Sequence, residues 1–290
     1  MSDFDYTYAV AYINSLKNKF LKESDFEFLS SLDDSSAVIN ALKARGFSFD
    51  LEKLTCEILK LSPNKEAINV FFYRNDFHNL KVFLKHKDKK YEDLRKYLIF
   101  PGVYDAEKMF TSLKQNNFNL LPRYLKHAAD SALNKMKHNS YQLWQVFIDK
   151  FSMDFSLKKA TETGIDFFRE LIMLENTLSD IKIAYRCARN NKDEDFLNTA
   201  LSEEMLISRK ALIKSAIAGE NELLKFLSST KFKEAENYLN EGFENYCSDK
   251  IRNCFKKYQY TFFGPVPLIF FLYEKEREME KVRLIISHKE

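Results

Sequence analysis

The sequence predicts an all-α protein, and three observations support this prediction. Glycine (6) and proline (5) are scarce among the 290 residues, so few positions can break a helix or form a tight turn. Valine, isoleucine and threonine do not alternate with polar residues over any long stretch, as they would in half-buried strands. Apolar residues instead recur at steps of three and four, which is the pattern of a helix with one buried face.

The clearest apolar stripe lies in the segment 70–85 and returns twice along the chain at an offset of 101 residues. Its three copies are Val70, Tyr73, Phe77, Leu80 and Leu84; Leu171, Leu174, Leu178, Ile181 and Tyr185; and Leu272, Lys275, Met279, Val282 and Ile286. Lys275 alone interrupts the pattern. A single match could be accidental, but the same offset occurs twice. We therefore predict three copies of a domain-sized helical unit.

Turn and capping signals place the boundaries between these copies. Pro101-Gly102 is typical of a turn, and Asp105 can cap the helix that follows it. The third copy begins near Ser202. We therefore predict helical repeat domains over residues 1–104, 105–201 and 202–290. The connecting segments are not low in complexity, so we expect the domains to pack together.

Within the first domain, Ser24 and Glu27 have the spacing of a capping box. Gly46 is a helix stop, and Asp50 and Asn64 are candidate N-caps. The predicted helices are 6–20, 35–45, 50–61, 64–87 and 91–98 in the first domain; 105–115, 122–137, 140–160, 163–190 and 193–201 in the second; and 203–218, 220–229, 231–257 and 264–287 in the third.

Composition excludes several classes of protein. The 45 basic and 42 acidic residues nearly cancel to a net charge of +3, which does not favour nucleic acid as a partner. No apolar run is long enough to span a membrane, and the first residues lack the pattern of a secretory signal. The four cysteines lack Cys-x-x-Cys spacing, so we expect reduced, partly buried thiols in a cytosolic protein.

Motifs for catalysis or cofactor binding are also missing from the sequence. There is no P-loop and no dinucleotide-binding glycine pattern. His78 and His86 could share a helix face, but a zinc site would need further ligands. His78 is more simply a polar neighbour of the core, and the charged run 274–281 is more simply a solvated helix face. We predict no cofactor, no metal site, no catalytic residue and no enzymatic activity.

Short motifs spread along the whole chain resemble one family. They are Tyr8-Ala9-Val10-Ala11-Tyr12-Ile13 at the start; Asp76-Phe77-His78-Asn79-Leu80-Lys81; Pro101-Gly102-Val103-Tyr104-Asp105; Gly264-Pro265-Val266-Pro267-Leu268; and Lys275 to Arg283. Together and in this order they are similar to the C subunits of V-type ATP synthases and ATPases, which are relatives of the d subunit of eukaryotic V-ATPases. Val266 replaces a usual acid of the family pattern, and Lys281 replaces a usual Asn.

The resemblance implies three similar helical domains around a pseudo-threefold axis, forming a funnel. It also implies a rotor subunit without an active site, which receives the central shaft (subunits D and F) and sits on the membrane rotor ring (the K or c subunits). Such a protein transmits torque for proton or sodium transport. It would be peripheral to the membrane on its cytoplasmic face. The alternative is an all-helical interaction scaffold unrelated to rotary machines.

One basic position recurs in the three stripes and gives the candidate partner-contact residues. The segment 76–81 returns in weakened form as 177–182 and 278–283, and each copy ends in a cation: Lys81, Lys182 and Arg283. We hypothesise that these cations pair helices or face the funnel. The more ordinary explanation is that their stems lie along the core while their charges stay in water, without any role toward a partner.

Overall fold

The computed structural model describes residues 6–137 and 142–289, and throughout these ranges the regular structure is helical. It comprises sixteen α-helices and a few short 3-10 segments, with no strand in the described residues. The all-α prediction is confirmed. Two sequence-based expectations lie outside the described residues: the absence of a signal at the first residues, and the beginning of the helix predicted over 140–160.

The chain forms two compact units. The terminal unit consists of residues 1–68 together with residues 258–290, and the central unit consists of residues 69–257. The predicted boundaries near 104 and 201 both fall within the central unit, and the division into three domains stays a prediction.

The terminal unit is built around the C-terminal helix. Its helices are α1 (Thr7–Lys17), α2 (Glu23–Ser31), α3 (Ser35–Ala44), α4 (Leu51–Leu61), α5 (Lys65–Asn69, which reaches the unit boundary) and α16 (Val266–Ser287). Helix α16 packs against α1, α2, α3 and α4. Leu29, Val38, Leu42 and Val282 form a fully buried core. Phe20 stacks on Phe271, with ring centroids 5.3 Å apart.

Two hydrophobic cores lie in the described part of the central unit. Its helices are α6 (Tyr73–Lys85), α7 (Tyr91–Leu94), α8 (Ala106–Lys114), α9 (Arg123–Lys137), α10 (Leu143–Glu162), α11 (Asp166–Arg189), α12 (Glu194–Ala200), α13 (Arg209–Ala218), α14 (Glu220–Ser228) and α15 (Phe243–Lys257). One core surrounds α6 with α8, α9 and α10. The other surrounds α11 with α12 to α15. Helix α6 is therefore the centre of one core and α11 of the other.

Most of the local capping signals are confirmed. The carboxylate oxygens of Asp50 and Asp105 accept N–H groups three residues later, each at 2.8 Å. The Asn64 side-chain oxygen accepts the Ala67 N–H at 3.2 Å. The capping box predicted at Ser24 is wrong, because α2 begins at Glu23 and it is Asp25 that accepts the N–H of Lys22 (2.8 Å).

Three predicted helices are interrupted or begin late. The helix predicted over 64–87 is interrupted at residues 70–72, where the Phe72 N–H bonds to the Asn69 carbonyl three residues back (2.8 Å). Phe71 then packs edge-on against Phe168 at 5.0 Å. The helix predicted over 231–257 is a 3-10 segment, Lys233–Asn237, followed by α15. The two are separated at Gly242, whose φ of +82° an L side chain would disfavour.

The third is the helix predicted over 203–218, which begins only at Arg209. The preceding residues instead follow an irregular path, because side chains of other helices bind their backbone N–H groups. The carboxylate of Asp154 binds the N–H of Glu203 at 2.8 Å, and the Thr177 hydroxyl binds that of Leu206 at 2.9 Å.

No helix in residues 6–137 or 142–289 has both the length and the apolar character that a membrane crossing requires.

Candidate functional site

The three predicted stripes are the buried faces of α6, α11 and α16. Phe77, Leu178 and Met279 occupy equivalent positions and are each at most 2% exposed. Leu80, Ile181 and Val282, one helical turn later, are fully buried. The central helix of each core therefore buries the residues that the offset of 101 places at equivalent positions.

Polar side chains accompany these stripes at two further equivalent positions. The first polar position holds Asp76, Thr177 and Glu278, and the second holds Asn79, Asp180 and Lys281. Five of these six side chains are less than 9% exposed, and Lys281 is the exception. Buried polar groups need partners, and in all three helices the partner is the backbone of a connecting segment. We call each such arrangement a clamp.

The clamp of α6 holds the turn between Ile99 and Tyr104. Asp76 accepts the Tyr104 N–H (3.1 and 3.2 Å to its two oxygens) and the Tyr124 hydroxyl (2.5 Å). Asn79 accepts the Ile99 N–H at 2.9 Å and donates to the Ile99 carbonyl at 3.0 Å. Gly102 is required here, because a Cβ atom at this position would collide with the Asp76 carboxylate.

The clamp of α11 holds the irregular segment after α12. Asp180 accepts both the N–H of Ser202 (3.1 Å) and its hydroxyl. Thr177, at the first polar position, accepts the Leu206 N–H at 2.9 Å. Arg209 donates to the Ser202 carbonyl at 3.1 Å and so fixes the same segment from its other side. Thr177 and Asp180 on α11 thus bind backbone N–H groups of a connecting segment, as Asp76 and Asn79 do on α6.

The clamp of α16 differs in its charge. Glu278 accepts the Leu21 N–H at 2.6 Å and forms an ion pair with Lys275. The Lys275 Nζ also lies 4.2 Å from the ring centroid of Phe47, within range of a cation–π interaction. The prediction that segment 274–281 is a solvated helix face is wrong at these two residues, whose side chains are 12% and 6% exposed.

Burial dominates the electrostatics of the two aspartates. Asp76 and Asp180 form no ion pair with any described lysine or arginine. Loss of hydration raises the pKa of each carboxyl group from 3.8 to about 7, although hydrogen bonds from Tyr124 and Tyr104, or from Ser202, oppose the shift. Each clamp in the central unit therefore contains an acid that titrates near neutral pH.

The three predicted partner-contact cations lie beside these clamps. Lys81 on α6 forms an ion pair with Asp149 on α10, and Lys182 on α11 forms one with Glu244 on α15. Both cations thus link a core helix to its neighbour. Arg283 on α16 forms no ion pair with another described residue. Whether any of the three contacts a partner stays a prediction.

The other candidate groups have structural surroundings. The His78 Nε2–H donates to the Tyr97 carbonyl at 2.9 Å, so this residue flanks the core as predicted. The described residues contain no cluster of His, Cys, Asp and Glu side chains that could hold a metal ion. The four cysteines are free thiols, and burial raises the pKa of Cys247 and Cys254 to about 11.

Val266 and Lys281, the two departures from the family pattern, have separate consequences. Val266 is buried at the beginning of α16. Lys281 occupies the second polar position, where Asn79 and Asp180 accept backbone N–H groups, and an ammonium group cannot accept them. Its Nζ instead lies 3.5 Å from the carboxylate of Glu23 and 4.8 Å from the ring centroid of Phe26. The α16 clamp therefore relies on Glu278.

Comparison with known proteins identifies the family. Residues 48–290 match the family model described as ATP synthase (C/AC39) subunit. The C subunit of the V-type sodium ATPase of Enterococcus hirae is 25% identical over 261 residues, covering 84% of this chain and 79% of the relative. The family model spans most of the chain, including α6, α11 and α16. The chain therefore belongs to the C/AC39 subunit family of V-type ATP synthases and ATPases.

Proposed function

We propose that this chain is the central-stalk (rotor) subunit of a V-type ATPase or ATP synthase. It couples the shaft formed by subunits D and F to the rotor ring in the membrane and passes torque between them. The observation that carries the proposal is the family match over residues 48–290. In this role the chain is non-catalytic, and ion transport, of protons or sodium, takes place in the membrane part of the machine.

The clamps support a torque-transmitting role. A protein that transmits torque must be rigid in the segments that connect its helices. The buried side chains of Asp76, Asp180 and Glu278 fix such segments with hydrogen bonds that would be costly to break in a dry interior. We propose that three domains related by a pseudo-threefold axis form a funnel, whose wide mouth receives the shaft and whose narrow end meets the ring on the cytoplasmic face.

Affinity purification tests this assignment. The chain is tagged at its C-terminus, native membranes are solubilised gently, and co-purifying proteins are identified by mass spectrometry. We expect the shaft proteins and the ring protein together. Recovery of neither, from cells shown to contain the assembled machine, would contradict the proposal and favour the helical scaffold instead.

The cation column, Lys81, Lys182 and Arg283, has its own test. We propose that these three residues contribute to shaft binding. Replacing all three with Gln should weaken binding of the purified D–F shaft at low salt, where electrostatic attraction is least screened. Unchanged affinity would leave the three cations with no role beyond the ion pairs of Lys81 and Lys182 inside this chain.

A further inference from the structure

A cleft in the central unit remains unexplained by the clamps. It has a volume of about 590 Å³ and lies between the C-terminal part of α11 and the segment 238–245, which leads into α15. Its helical wall carries three cations, Lys182, Arg186 and Arg189, and its opposite wall includes Tyr238 and Glu241. The spacing of four and then three residues places the cations along one side of α11.

The three cations differ in how far they are neutralised. Lys182 forms an ion pair with Glu244, and the Arg189 Nε lies 3.8 Å from a carboxylate oxygen of Glu220. Arg186 is exposed and forms no ion pair with another described residue. The α11 wall therefore retains a guanidinium group that can still bind a carboxylate with two parallel hydrogen bonds.

The rest of the lining resembles a protein-binding surface more than a site for a compact anion. Tyr238 is 41% exposed, although its ring also stacks on that of Tyr246 with centroids 5.4 Å apart. Tyrosine and arginine are enriched at interfaces between proteins, where they often dominate the binding energy. The carboxylates of Glu241 and Glu244 in the same cleft would repel a phosphate dianion, whereas a protein segment can direct its acid toward α11 alone.

We propose that this cleft binds an acidic segment of another protein of the same machine, with a carboxylate of that segment paired to Arg186. The inference rests on the proposed function, because it presupposes that the chain assembles into such a machine. It adds a specific surface and a partner chemistry, and Lys182 is one of the residues that line this surface. Glu241 should oppose the binding, since it presents a like charge to the incoming segment.

Two substitutions of opposite expected sign test the proposal. The probes are the shaft-containing and the ring-containing parts of the machine, purified from cells that lack this chain, and the measurement is the affinity of each part for the added, purified chain. Arg186→Glu should weaken binding at least tenfold, and Glu241→Lys should strengthen it severalfold. The matched control is Arg123→Glu, because Arg123 is also exposed, lies in the central unit and forms no ion pair with another described residue. Unchanged thermal unfolding should show that each variant is folded.

Each outcome decides the question. Wild-type affinity in Arg186→Glu, or weaker binding by Glu241→Lys, would overturn the cleft proposal while leaving the rotor assignment intact. Equal losses in Arg186→Glu and Arg123→Glu would also overturn it, because they would indicate a general effect of net charge. Failure of the wild-type chain to bind either part of the machine would contradict the proposed function itself, and the inference with it.

Discussion

The clamps of α6 and α16 each bury a carboxyl group, but the two groups have different partners. In α6, the buried Asp76 is held by a backbone N–H and a tyrosine hydroxyl and has no described basic partner. In α16, Glu278 stands at the equivalent position but is paired with Lys275. Lys275 occupies the place that Tyr73 and Leu174 take in the other stripes. Lys275, which interrupts the apolar pattern of the third stripe, is therefore the counter-ion of Glu278.

The comparison predicts that Lys275 and Glu278 act as a unit. A buried pair loses much of its attraction to desolvation, but a single buried charge left behind is far more costly. In α6 and α11, the equivalent stripe residue remains apolar or aromatic. There the acids Asp76 and Asp180 avoid the cost in another way, since burial raises the pKa of both to about 7 and favours their neutral form.

The largest expected effect comes from separating this pair. Glu278→Thr leaves Lys275 buried without its carboxylate, and should lower the free energy of unfolding by about 3–5 kcal/mol. The double variant Lys275→Leu with Glu278→Thr copies the residues of α11 and should recover most of that loss. Chemical denaturation of both variants and of Lys275→Leu completes a double-mutant cycle. A double variant no more stable than Glu278→Thr would show that the pairing is not what makes α16 different.

A smaller effect, dependent on pH, should distinguish the central clamps. Between about pH 4 and 7, folded Asp76 retains a proton that the unfolded chain has already released. Titration of Asp76 should therefore lower the free energy of unfolding as pH rises through this window, and this single contribution is at most about 4 kcal/mol for a shift of this size. Asp76→Asn removes that contribution, as does Asp180→Asn for its own site.

Thermal unfolding of wild type and of each variant between about pH 4.5 and 8 measures this contribution. Relative to wild type, each Asn variant should gain stability as pH rises, whatever its offset at the lowest pH. The matched control is Asp149→Asn, since Asp149 is half exposed and lies outside the clamps. A difference between wild type and Asp76→Asn that stays constant across the range would exclude titration of Asp76 near neutral pH.

The smallest effect should come from the cation column. Lys81→Gln and Lys182→Gln each remove an ion pair whose acidic partner is at least half exposed, so each should change the free energy of unfolding by less than about 1 kcal/mol. Arg283→Gln should change it even less. Denaturant titrations at low and high salt check this expectation. A loss of several kcal/mol at Lys81 or Lys182 would mean that these residues belong to the clamps.

Local features of the fold could be predicted from the sequence, whereas long-range contacts could not. Apolar steps of three and four identify the buried faces of α6, α11 and α16, and the Asp50 and Asp105 caps depend on neighbours three residues away. The late beginning of α13 depends on Asp154 and Thr177, which are remote in sequence and bind backbone groups that would otherwise favour a helix.

The clamps could not be predicted in full, although the sequence contains a signal for them. The offset of 101 places Asp76, Thr177 and Glu278 in one position, and all three can accept a hydrogen bond. Their partners cannot be found in this way, because the identity of an acceptor residue does not show which N–H group it binds in the folded chain. For the same reason Lys275 looks like an interruption in the sequence, since only its proximity to Glu278 in α16 explains it.

The bond between the Leu21 N–H and Glu278 joins residues that are 257 positions apart. During synthesis on the ribosome, α1 to α4 would emerge long before α16, the helix they pack around. At about 5–20 residues per second the delay is roughly 10–50 seconds. The central unit lies between these segments and could complete its cores first. Nascent chains would therefore carry an N-terminal region without its core helix, a state in which chaperones have time to bind.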